Sequence, residues 1–243
     1  MSRSRIRRGS ILTLDVGGTH IKMLLEGQST PRKIASGSRF TPRMLVRQVR
    51  SRTADWHYEY IAMGYPGVVW RGRPFSEPHN LGRGWAGFDF ERAFARPVRI
   101  VNDAVMQAIG SYEGGRMLFL GLGTGLGSAL ILDHTIEAME IAHLPYKKGR
   151  TYEDYLGKQG LRRLGGKKWR HAVRDVVERL SAAFEVDYVV LGGGNANRLH
   201  QLPRGARLGS NANAFTGGYR LWRDPEWFLP TVPRVANRRR VRR

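Results

Sequence analysis

Apolar and polar positions alternate along the chain with two different periods. Short apolar runs rich in β-branched residues are typical of strands and lie at residues 11–14, 21–25, 58–63, 98–101, 117–120, 127–132 and 188–191. Between them, apolar residues recur at helical spacing in residues 42–54, 104–112 and 168–184. Strands that alternate with helices predict an α/β fold.

The first two apolar runs are joined by a short turn, DVGGT, at residues 15–19. So short a connection predicts a hairpin, and therefore a mixed sheet rather than a wholly parallel one. A later pair of runs is joined in the same way by GLGTG, at residues 121–125. This repeated strand–turn–strand pattern predicts two lobes, each with a glycine turn that faces a shared cleft.

Both glycine turns have the composition of an anion site. The amides of successive glycines approach a ligand closely and form a nest that binds phosphate. Thr19 and Thr124 each add a hydroxyl, and Asp15 suits Mg²⁺, usually held through water, which would offset the repulsion between its carboxylate and a phosphate. This pairing points to Mg²⁺-dependent phosphoryl transfer. A tight hairpin in which Asp15 caps the turn explains the first motif equally well.

A third glycine cluster, LGGGN at residues 191–195, follows the last predicted strand. We expect a helix to start through Asn195, so that the amides of the cluster face a nucleotide or a second phosphate. A plain turn from strand to helix is the alternative.

Several polar side chains suit chemistry on an alcohol. Asp103 follows a predicted strand, where it is placed to cap the next helix, to act as the base for an attacking hydroxyl, or both. Glu140 and His143 are three residues apart and face the same way on a helical turn. No third metal ligand is nearby, so hydrogen bonds to a polyol are the functional interpretation, against a capped helix end with a surface histidine. Asn80 and Trp85 add an amide and an aromatic ring suited to a sugar.

Composition narrows the class of protein. The 243 residues are 41% hydrophobic, too rich for a disordered chain, and no apolar stretch has the roughly 20 residues of a membrane span. The absence of cysteine excludes disulfides and thiolate metal sites, and the first residues lack the apolar stretch of a secretory signal. We therefore expect a cytoplasmic protein.

The net charge of the chain is strongly positive. The chain has 41 Lys and Arg against 20 Asp and Glu, a formal net charge of +21 that favours nucleic acid, anionic lipid or another polyanion. The two ends, residues 1–10 and 223–243, are interpreted as basic solvated tails. The interior is also basic, and its excess needs an explanation.

Taken together, the motifs resemble those of the ROK sugar kinases. They are DVGGT, GYPG at residues 64–67, Asn102 with Asp103, GLGTG, EIAH at residues 140–143, and LGGG. Within that family, residues 142–157 and 210–222 are similar to the polyphosphate glucokinases.

This resemblance implies the two-lobed actin-like ATPase (ribonuclease H-like) fold, with the active-site cleft between the lobes. The smaller lobe is expected at residues 11–105 and the larger at residues 106–222, with the last helix packing back on the first lobe. A homodimer is implied as well.

The resemblance also implies roles for individual residues. Asp103 would be the base that activates the 6-hydroxyl of glucose. The residues implied to bind the sugar are Asn80, Asn102, Glu140, His143 and Glu153. Those implied to hold the donor phosphates are Gly17, Gly18, Thr19, Gly123, Thr124 and Gly125, with Mg²⁺ at Asp15. The nucleotide site is implied at Gly192, Gly193 and Gly194.

Two stretches depart from the family pattern. Many ROK kinases carry a cysteine-rich zinc motif after the histidine, where this chain has PYKKGR at residues 145–150, so no structural zinc is expected. Ala142 replaces the glycine of the ExGH pattern, and its methyl group can shift His143 and alter sugar selection. The helix-turn-helix segment of the family's repressors is not seen, so nucleic acid is not expected as a specific partner.

The predicted function is Mg²⁺-dependent phosphorylation of glucose, or of a related hexose such as mannose, at the 6-hydroxyl. The donor would be inorganic polyphosphate, ATP or both, and no membrane partner is expected. A groove for polyphosphate would be lined by Lys147, Lys148, Arg150, Lys167 and Lys168. The alternatives are an ATP-only hexokinase of another sugar and a non-catalytic protein that binds polyanions or nucleic acid on a kinase fold.

Overall fold

A computed structural model of the chain describes residues 8–210, 212–224 and 227, so most of both predicted basic tails lies outside the described residues. The strands are β1 (Ile11–Val16), β2 (His20–Leu25), β3 (Arg32–Ala35), β4 (Tyr60–Tyr65), β5 (Val69–Trp70), β6 (Arg73–Pro74), β7 (Val98–Asn102), β8 (Arg116–Leu122), β9 (Leu126–Leu132), β10 (Thr135–Met139), β11 (Tyr188–Gly192) and β12 (Ala206–Leu208). The helices are α1 (Pro42–Arg52), α2 (Phe90–Phe94), α3 (Asp103–Ser111), α4 (Tyr152–Leu156), α5 (Lys158–Phe184) and α6 (Asn213–Arg223). Within the described ranges, no helix is both long and apolar enough to cross a membrane.

Two five-stranded sheets share one strand order. The first sheet runs β3-β2-β1-β4-β7 and the second runs β10-β9-β8-β11-β12. In the first sheet, β3, β2 and β1 pair antiparallel, and β4 and β7 continue the sheet in parallel beside β1. In the second sheet, β10, β9 and β8 pair antiparallel, and β11 and β12 continue the sheet in parallel beside β8. The predicted opening hairpin and mixed sheet are therefore confirmed, and the repeated strand–turn–strand pattern corresponds to a repeated sheet.

The core has three parts, and the middle one joins the sheets. One apolar cluster lies between the first sheet and the helices α1 and α2, and another lies between the second sheet and the helices α4 and α5. The third combines α3 and α6 with side chains from both sheets, such as Ala62 on β4 and Phe119 on β8. The predicted lobe boundary between residues 105 and 106 falls inside α3.

The helices α3 and α6 touch backbone to backbone. A Cβ atom on Gly110 of α3 would overlap the carbonyl oxygen of Asn213, and one on Gly217 of α6 would overlap that of Met106. The helix α6 also reaches the first sheet, where Trp222 Nε1 donates to the Ile61 carbonyl at 3.0 Å. We call this α3–α6 contact the seam, because it holds the two sheets together.

One predicted helix differs from the structure in its extent. The helix expected at residues 168–184 begins at Lys158 and is interrupted at Gly165, whose φ of 72° and ψ of 162° are not helical. The polar run RRLGGKK obscures the helical spacing of apolar residues in this first segment, and two consecutive glycines disfavour a continuous helix.

Candidate active site

The first glycine turn begins beside a charged pair on neighbouring strands. Asp15 near the end of β1 lies opposite Lys22 on β2 and next to Gly64 on the parallel strand β4. Lys22 Nζ donates to Asp15 Oδ2 at 3.4 Å, and both side chains are partly buried. Sequence reasoning missed Lys22, which lies opposite Asp15 because the hairpin turns at Gly18 and Thr19, with Gly17 N–H donating to the His20 carbonyl.

Asp103 lies where the two sheets meet. It is the first residue of α3, and its Cα would be 3.4 Å from a Cβ atom on Gly64. The next residue, Ala104, is equally close to the second sheet, since a Cβ atom on Gly127 would be 3.0 Å from the Ala104 Cβ. Glycines on β4 and β9 thus make room for the start of α3 between them.

The helix cap at this position is Asn102 rather than Asp103. Asn102 Oδ1 accepts hydrogen bonds from the N–H groups of Ala104 at 2.9 Å and Val105 at 3.4 Å, and Asn102 Nδ2 donates to the Gly67 carbonyl at 3.2 Å. The cap leaves Asp103 in the first turn of the helix, where Asp103 Oδ1 accepts from Ala104 N–H at 2.8 Å.

The environment of Asp103 favours its protonated form. Burial, the negative charge of Asp15 and, to a smaller extent, that of Glu140 raise the pKa of Asp103, hydrogen bonds from backbone N–H groups lower it, and the net result is a pKa of about 7. Asp15 belongs to the first sheet, and Glu140 follows β10 of the second. The structure therefore brings three predicted site residues close enough for their charges to interact.

Asn80 lies against the first glycine turn. A Cβ atom on Gly18 would be only 2.6 Å from the Asn80 Cβ, and one on Gly17 would be 2.7 Å from the His20 carbonyl oxygen. Neither glycine has a positive φ, so close approach, and not backbone conformation, requires glycine at both positions. Thr19 is exposed at the tip of the turn, and Asn80 is exposed beside it.

Glu153 lies against the second glycine turn. Its Oε2 accepts from the N–H of Leu126 at 2.9 Å, and a Cβ atom on Gly125 would overlap the same oxygen. The turn is also tied to the start of α5, because Lys158 N–H lies 3.1 Å from the carbonyl oxygens of both Gly123 and Thr124. Thr124 is exposed, and a Cβ atom on Gly123 would meet no other atom within 4 Å.

The third glycine cluster adjoins the second turn. Gly193 has a φ of 81°, and a Cβ atom there would lie 2.6 Å from the Leu122 carbonyl oxygen, while one on Gly192 would be 2.6 Å from the Phe119 ring. Gly194 has open space around it. Asn195 Nδ2 donates to the Gly123 carbonyl at 2.9 Å, which ties the two turns together.

The helix predicted to start through Asn195 is wrong. A single 3₁₀ turn, Ala196–Arg198, follows the cluster, and Asn195 makes no side-chain cap. The side chain that would cap a helix bonds instead to the neighbouring glycine turn, and an irregular segment, residues 199–205, connects the 3₁₀ turn to the short strand β12.

Glu140 directly precedes a short 3₁₀ turn, Ile141–His143, of which His143 is the last residue, and both side chains are exposed. Ala142 between them is buried, 2% exposed, within the apolar cluster of the second sheet. Its methyl group thus packs inward, away from the surface where Glu140 and His143 lie.

The acidic groups suit a metal bound largely by other ligands. No three His, Asp or Glu side chains within the described ranges come together in a way that could hold a metal ion. Mg²⁺ commonly takes one or two carboxylates and completes its shell with water and substrate phosphates. Asp15, with Asp103 and Glu140 nearby, fits that mode, whereas a metal held only by protein side chains would not fit here.

No protein-family model matches the chain, and no curated protein sequence matches it. Solved structures do match. An inorganic polyphosphate/ATP-glucomannokinase from Arthrobacter sp. strain KM is 20% identical with a TM-score of 0.74, over 87% of this chain and 97% of that chain. A ROK family glucokinase from Streptomyces griseus, solved with glucose and AMPPNP, is 16% identical with a TM-score of 0.67, over 88% and 99%.

The same fold also occurs in a regulator. A ROK family transcriptional regulator, homologous to the E. coli MLC protein, is 16% identical with a TM-score of 0.64, over 90% of this chain but only 79% of that chain. At such identities the likeness concerns the fold, and it extends over most of the chain in every case. The chain therefore has the two-sheet, actin-like ATPase fold of the ROK sugar kinases.

Proposed function

We propose that the protein is a sugar kinase of the ROK type, which transfers a phosphoryl group to the 6-hydroxyl of glucose or of a related hexose such as mannose. The donor is inorganic polyphosphate, ATP or both. The observation that carries the proposal is the position of Asp103, at the junction of two sheets and within electrostatic reach of Asp15 and Glu140.

Asp103 is the base. A general base works best when its pKa lies near the working pH, and burial with neighbouring carboxylates gives Asp103 a pKa of about 7. Its carboxylate accepts the proton of the sugar hydroxyl as the phosphorus–oxygen bond forms. Its place in the first turn of α3, fixed by the Asn102 cap, gives this carboxylate a rigid support.

The sugar lies between residues of both sheets. Asn80 extends from beside the first glycine turn, while Glu140 and His143 approach from the second sheet and bond to sugar hydroxyls. Asn102 and Glu153 already bond to backbone groups, which orients their side chains. Their remaining hydrogen-bonding capacity serves the sugar.

Donor phosphates bind the two glycine turns, through the amides of residues 17–19 and 123–125 and the hydroxyls of Thr19 and Thr124. Mg²⁺, when bound near Asp15, neutralises charge on the transferred group. Lys22, paired with Asp15 at 3.4 Å, adds a positive charge at the same place. The amides of Gly192, Gly193 and Gly194 adjoin the second turn and would serve the nucleotide when ATP is the donor.

Exposed basic side chains support polyphosphate as a donor. Lys148, Arg150, Lys167 and Lys168 are exposed on the loop after His143 and around the break in α5. Lys147, expected in the same groove, is instead paired with Asp175 at 3.1 Å. A long polyanion would bind such a surface through counterion release, which makes its binding dependent on salt.

The test is hexose 6-phosphate formation by the full chain with Mg²⁺, using glucose or mannose and either donor. Asp103→Asn should lower kcat by a factor of about 10² to 10⁴, the usual contribution of a general base, without loss of fold. Asp55→Asn, which changes an exposed acid elsewhere, is the matched control. If the kcat of Asp103→Asn were close to that of the unaltered protein, Asp103 would not be the base.

The dependence of KM on salt concentration tests the basic groove for polyphosphate. Between about 50 and 200 mM salt, the KM for polyphosphate should rise several-fold, whereas the KM for the uncharged sugar should stay constant. A polyphosphate KM that does not change with salt would remove the basic groove from the proposal.

A non-catalytic polyanion binder is the second candidate, favoured by the net charge of +21. Three carboxylates clustered at the sheet junction argue against it, because they repel a polyanion. The homodimer and the two lobe ranges, residues 11–105 and 106–222, stay predictions. Sedimentation of the purified protein and limited proteolysis would test them.

A further inference from the structure

The loop that follows His143 is fastened to α5 by one acidic residue. Asp175 Oδ2 accepts hydrogen bonds from Tyr146 Oη at 2.5 Å, Arg179 Nε at 2.8 Å and Lys147 Nζ at 3.1 Å. Two of these donors belong to the loop and one to the helix. We call Asp175 and these three donors the Asp175 clamp.

Aromatic packing strengthens the same contact. The Tyr146 ring stacks on Tyr152 at a centroid distance of 5.2 Å and meets Tyr155 edge-on at 4.7 Å. Lys147 Nζ lies 4.8 Å from the centre of the Tyr146 ring. Tyr146 therefore touches α4 and α5 at once, and its hydroxyl is the link to Asp175.

The backbone of the loop is closed on itself. Tyr146 N–H donates to the Arg150 carbonyl at 2.8 Å, and Tyr152 N–H donates to the Leu144 carbonyl at 3.1 Å. These two hydrogen bonds join both ends of the loop, so a contact that holds Tyr146 in position also restricts Leu144, the residue directly after His143. Leu144 N–H in turn donates to the Ile141 carbonyl, which continues the connection to Glu140.

The other end of this segment has its own anchor. Thr151 and Asp154 form a reciprocal capping box at the start of α4, and Glu153 bonds to the N–H of Leu126, directly after the second glycine turn. The donor side of the site is therefore held without help from the Asp175 clamp.

We propose that Asp175 is a positioning residue for sugar binding: through Tyr146 it holds the loop that carries Glu140 and His143 in place. The inference rests on the proposed function, since it assigns these two residues to the sugar. Asp175 touches neither substrate, so its effect must appear in the affinity for the sugar and not in the affinity for ATP, whose expected site is at the glycine turns.

Two variants test the clamp, with one control. Asp175→Asn removes the charge that holds three donors, and Tyr146→Phe removes one hydroxyl while keeping the stacked ring. The control is Asp55→Asn, which breaks a comparable carboxylate pair with Arg32 on the first sheet side of the molecule. Asp55 and Asp175 are both held with a pKa of about 2, Asp55 chiefly by the hydrogen bond from Arg32, Asp175 because its hydrogen bonds outweigh the opposing effect of burial.

The expected result is a split between the two substrates. With ATP as the donor, Asp175→Asn should raise the sugar KM about tenfold and Tyr146→Phe somewhat less, in line with the loss of hydrogen bonds to a charged group, while the KM for ATP stays within about twofold. Asp55→Asn should change neither. A sugar KM that does not change, or a KM for ATP that rises equally, overturns the proposal.

Hydrogen exchange in the ligand-free protein separates this failure from failure of the proposed function. Asp175→Asn should speed amide exchange at Tyr146, Arg150 and Tyr152 while the strands keep their protection. Unchanged exchange there would show that the clamp holds nothing. Faster exchange in a protein that phosphorylates no hexose would keep the clamp but overturn its role in sugar binding, along with the proposed function.

Discussion

The two halves of the candidate site are held by different physical means. On the side of the first sheet, glycines allow close packing: Gly18 against Asn80, and Gly64 against the start of α3 with Asp103. On the side of the second sheet, charged and polar side chains hold loops: Glu153 bonds to Leu126 N–H, and Asp175 holds the loop after His143.

The difference has a consequence for function. Close packing leaves a residue only one position, which suits a base that must face a hydroxyl at a fixed distance. Hydrogen bonds and ion pairs near the surface are weaker and adjustable, which suits residues that select among similar sugars. We therefore expect the packed side to govern stability and turnover, and the polar side to govern affinity.

The largest effect should follow from breaking the packing at the seam. Gly217→Ala would force a methyl group into the Met106 carbonyl, and a backbone atom cannot move aside as a side chain can. We expect destabilisation by more than about 3 kcal/mol, at the upper end for overpacking. Denaturant unfolding followed by tryptophan fluorescence measures it. Gly194→Ala, which has open space, is the control, and equal stability of the two variants would contradict the packing argument.

The next effect separates the two glycine turns. Gly18→Ala would press on the Asn80 Cβ, close to the backbone, and should lower kcat/KM about 10²-fold through displacement of Asn80. Gly125→Ala would press only on the flexible end of Glu153, which can shift at smaller cost, so a loss of about tenfold is expected. Steady-state kinetics of both variants, with circular dichroism as a check of folding, decides. A larger loss for Gly125→Ala would reverse the comparison.

A third prediction concerns pH. The pKa of Asp103 is about 7 in the folded protein and about 3.9 in an unfolded chain, so between these values the folded state holds a proton that the unfolded state has released. The stability that this proton contributes is present below about pH 4 and is lost as the pH rises to 7. Asp103→Asn should therefore be more stable than the unaltered protein above pH 7, by up to about 4 kcal/mol for a difference of about 3 pKa units, with the gap closing toward pH 4.

Thermal unfolding of both proteins across pH 4 to 8.5, with a chelator to remove Mg²⁺, measures this gap. The activity of the unaltered protein should fall below about pH 7 as Asp103 takes up its proton. Parallel stability curves for the two proteins would mean that burial does not raise the pKa of Asp103.

The sequence predicts the regular part of this fold well. Strands such as β1, β8 and β11 are continuous apolar runs, and the repeated glycine turns anticipate the repeated sheet. The helix α6 could not be predicted with the same ease, because Gly217 and Gly218 in its interior are poor helix formers. They are there for the contact with α3, which no local pattern reveals. The strand β10 has one buried residue, Ile136, and so lacks a clear alternation.

The residues of the candidate site also fall into those that the local sequence reveals and those that it does not. Residues at strand ends, such as Asp15 and Asp103, could be identified because a strand followed by a carboxylate is visible locally. Lys22 required the register of the hairpin, and Asp175 lies far along the chain from its partner Tyr146. Such cross-chain contacts are set by tertiary packing, and a single sequence carries no direct signal for them.

The smallest predicted effect returns to the packed side. The Thr13 hydroxyl on β1 is fully buried against Gly218 of α6, and within the part of the chain that the structure describes it has no hydrogen-bond partner. A buried unpaired hydroxyl is unfavourable, so Thr13→Val, which keeps the shape, should stabilise the protein by about 1 kcal/mol in denaturant unfolding. Thr13→Ser is the control, since it keeps the hydroxyl and opens a small cavity, and should be destabilising. If Thr13→Val were less stable than Thr13→Ser, the hydroxyl would have a partner such as a buried water, and the contact between β1 and α6 would be held partly by polar interactions.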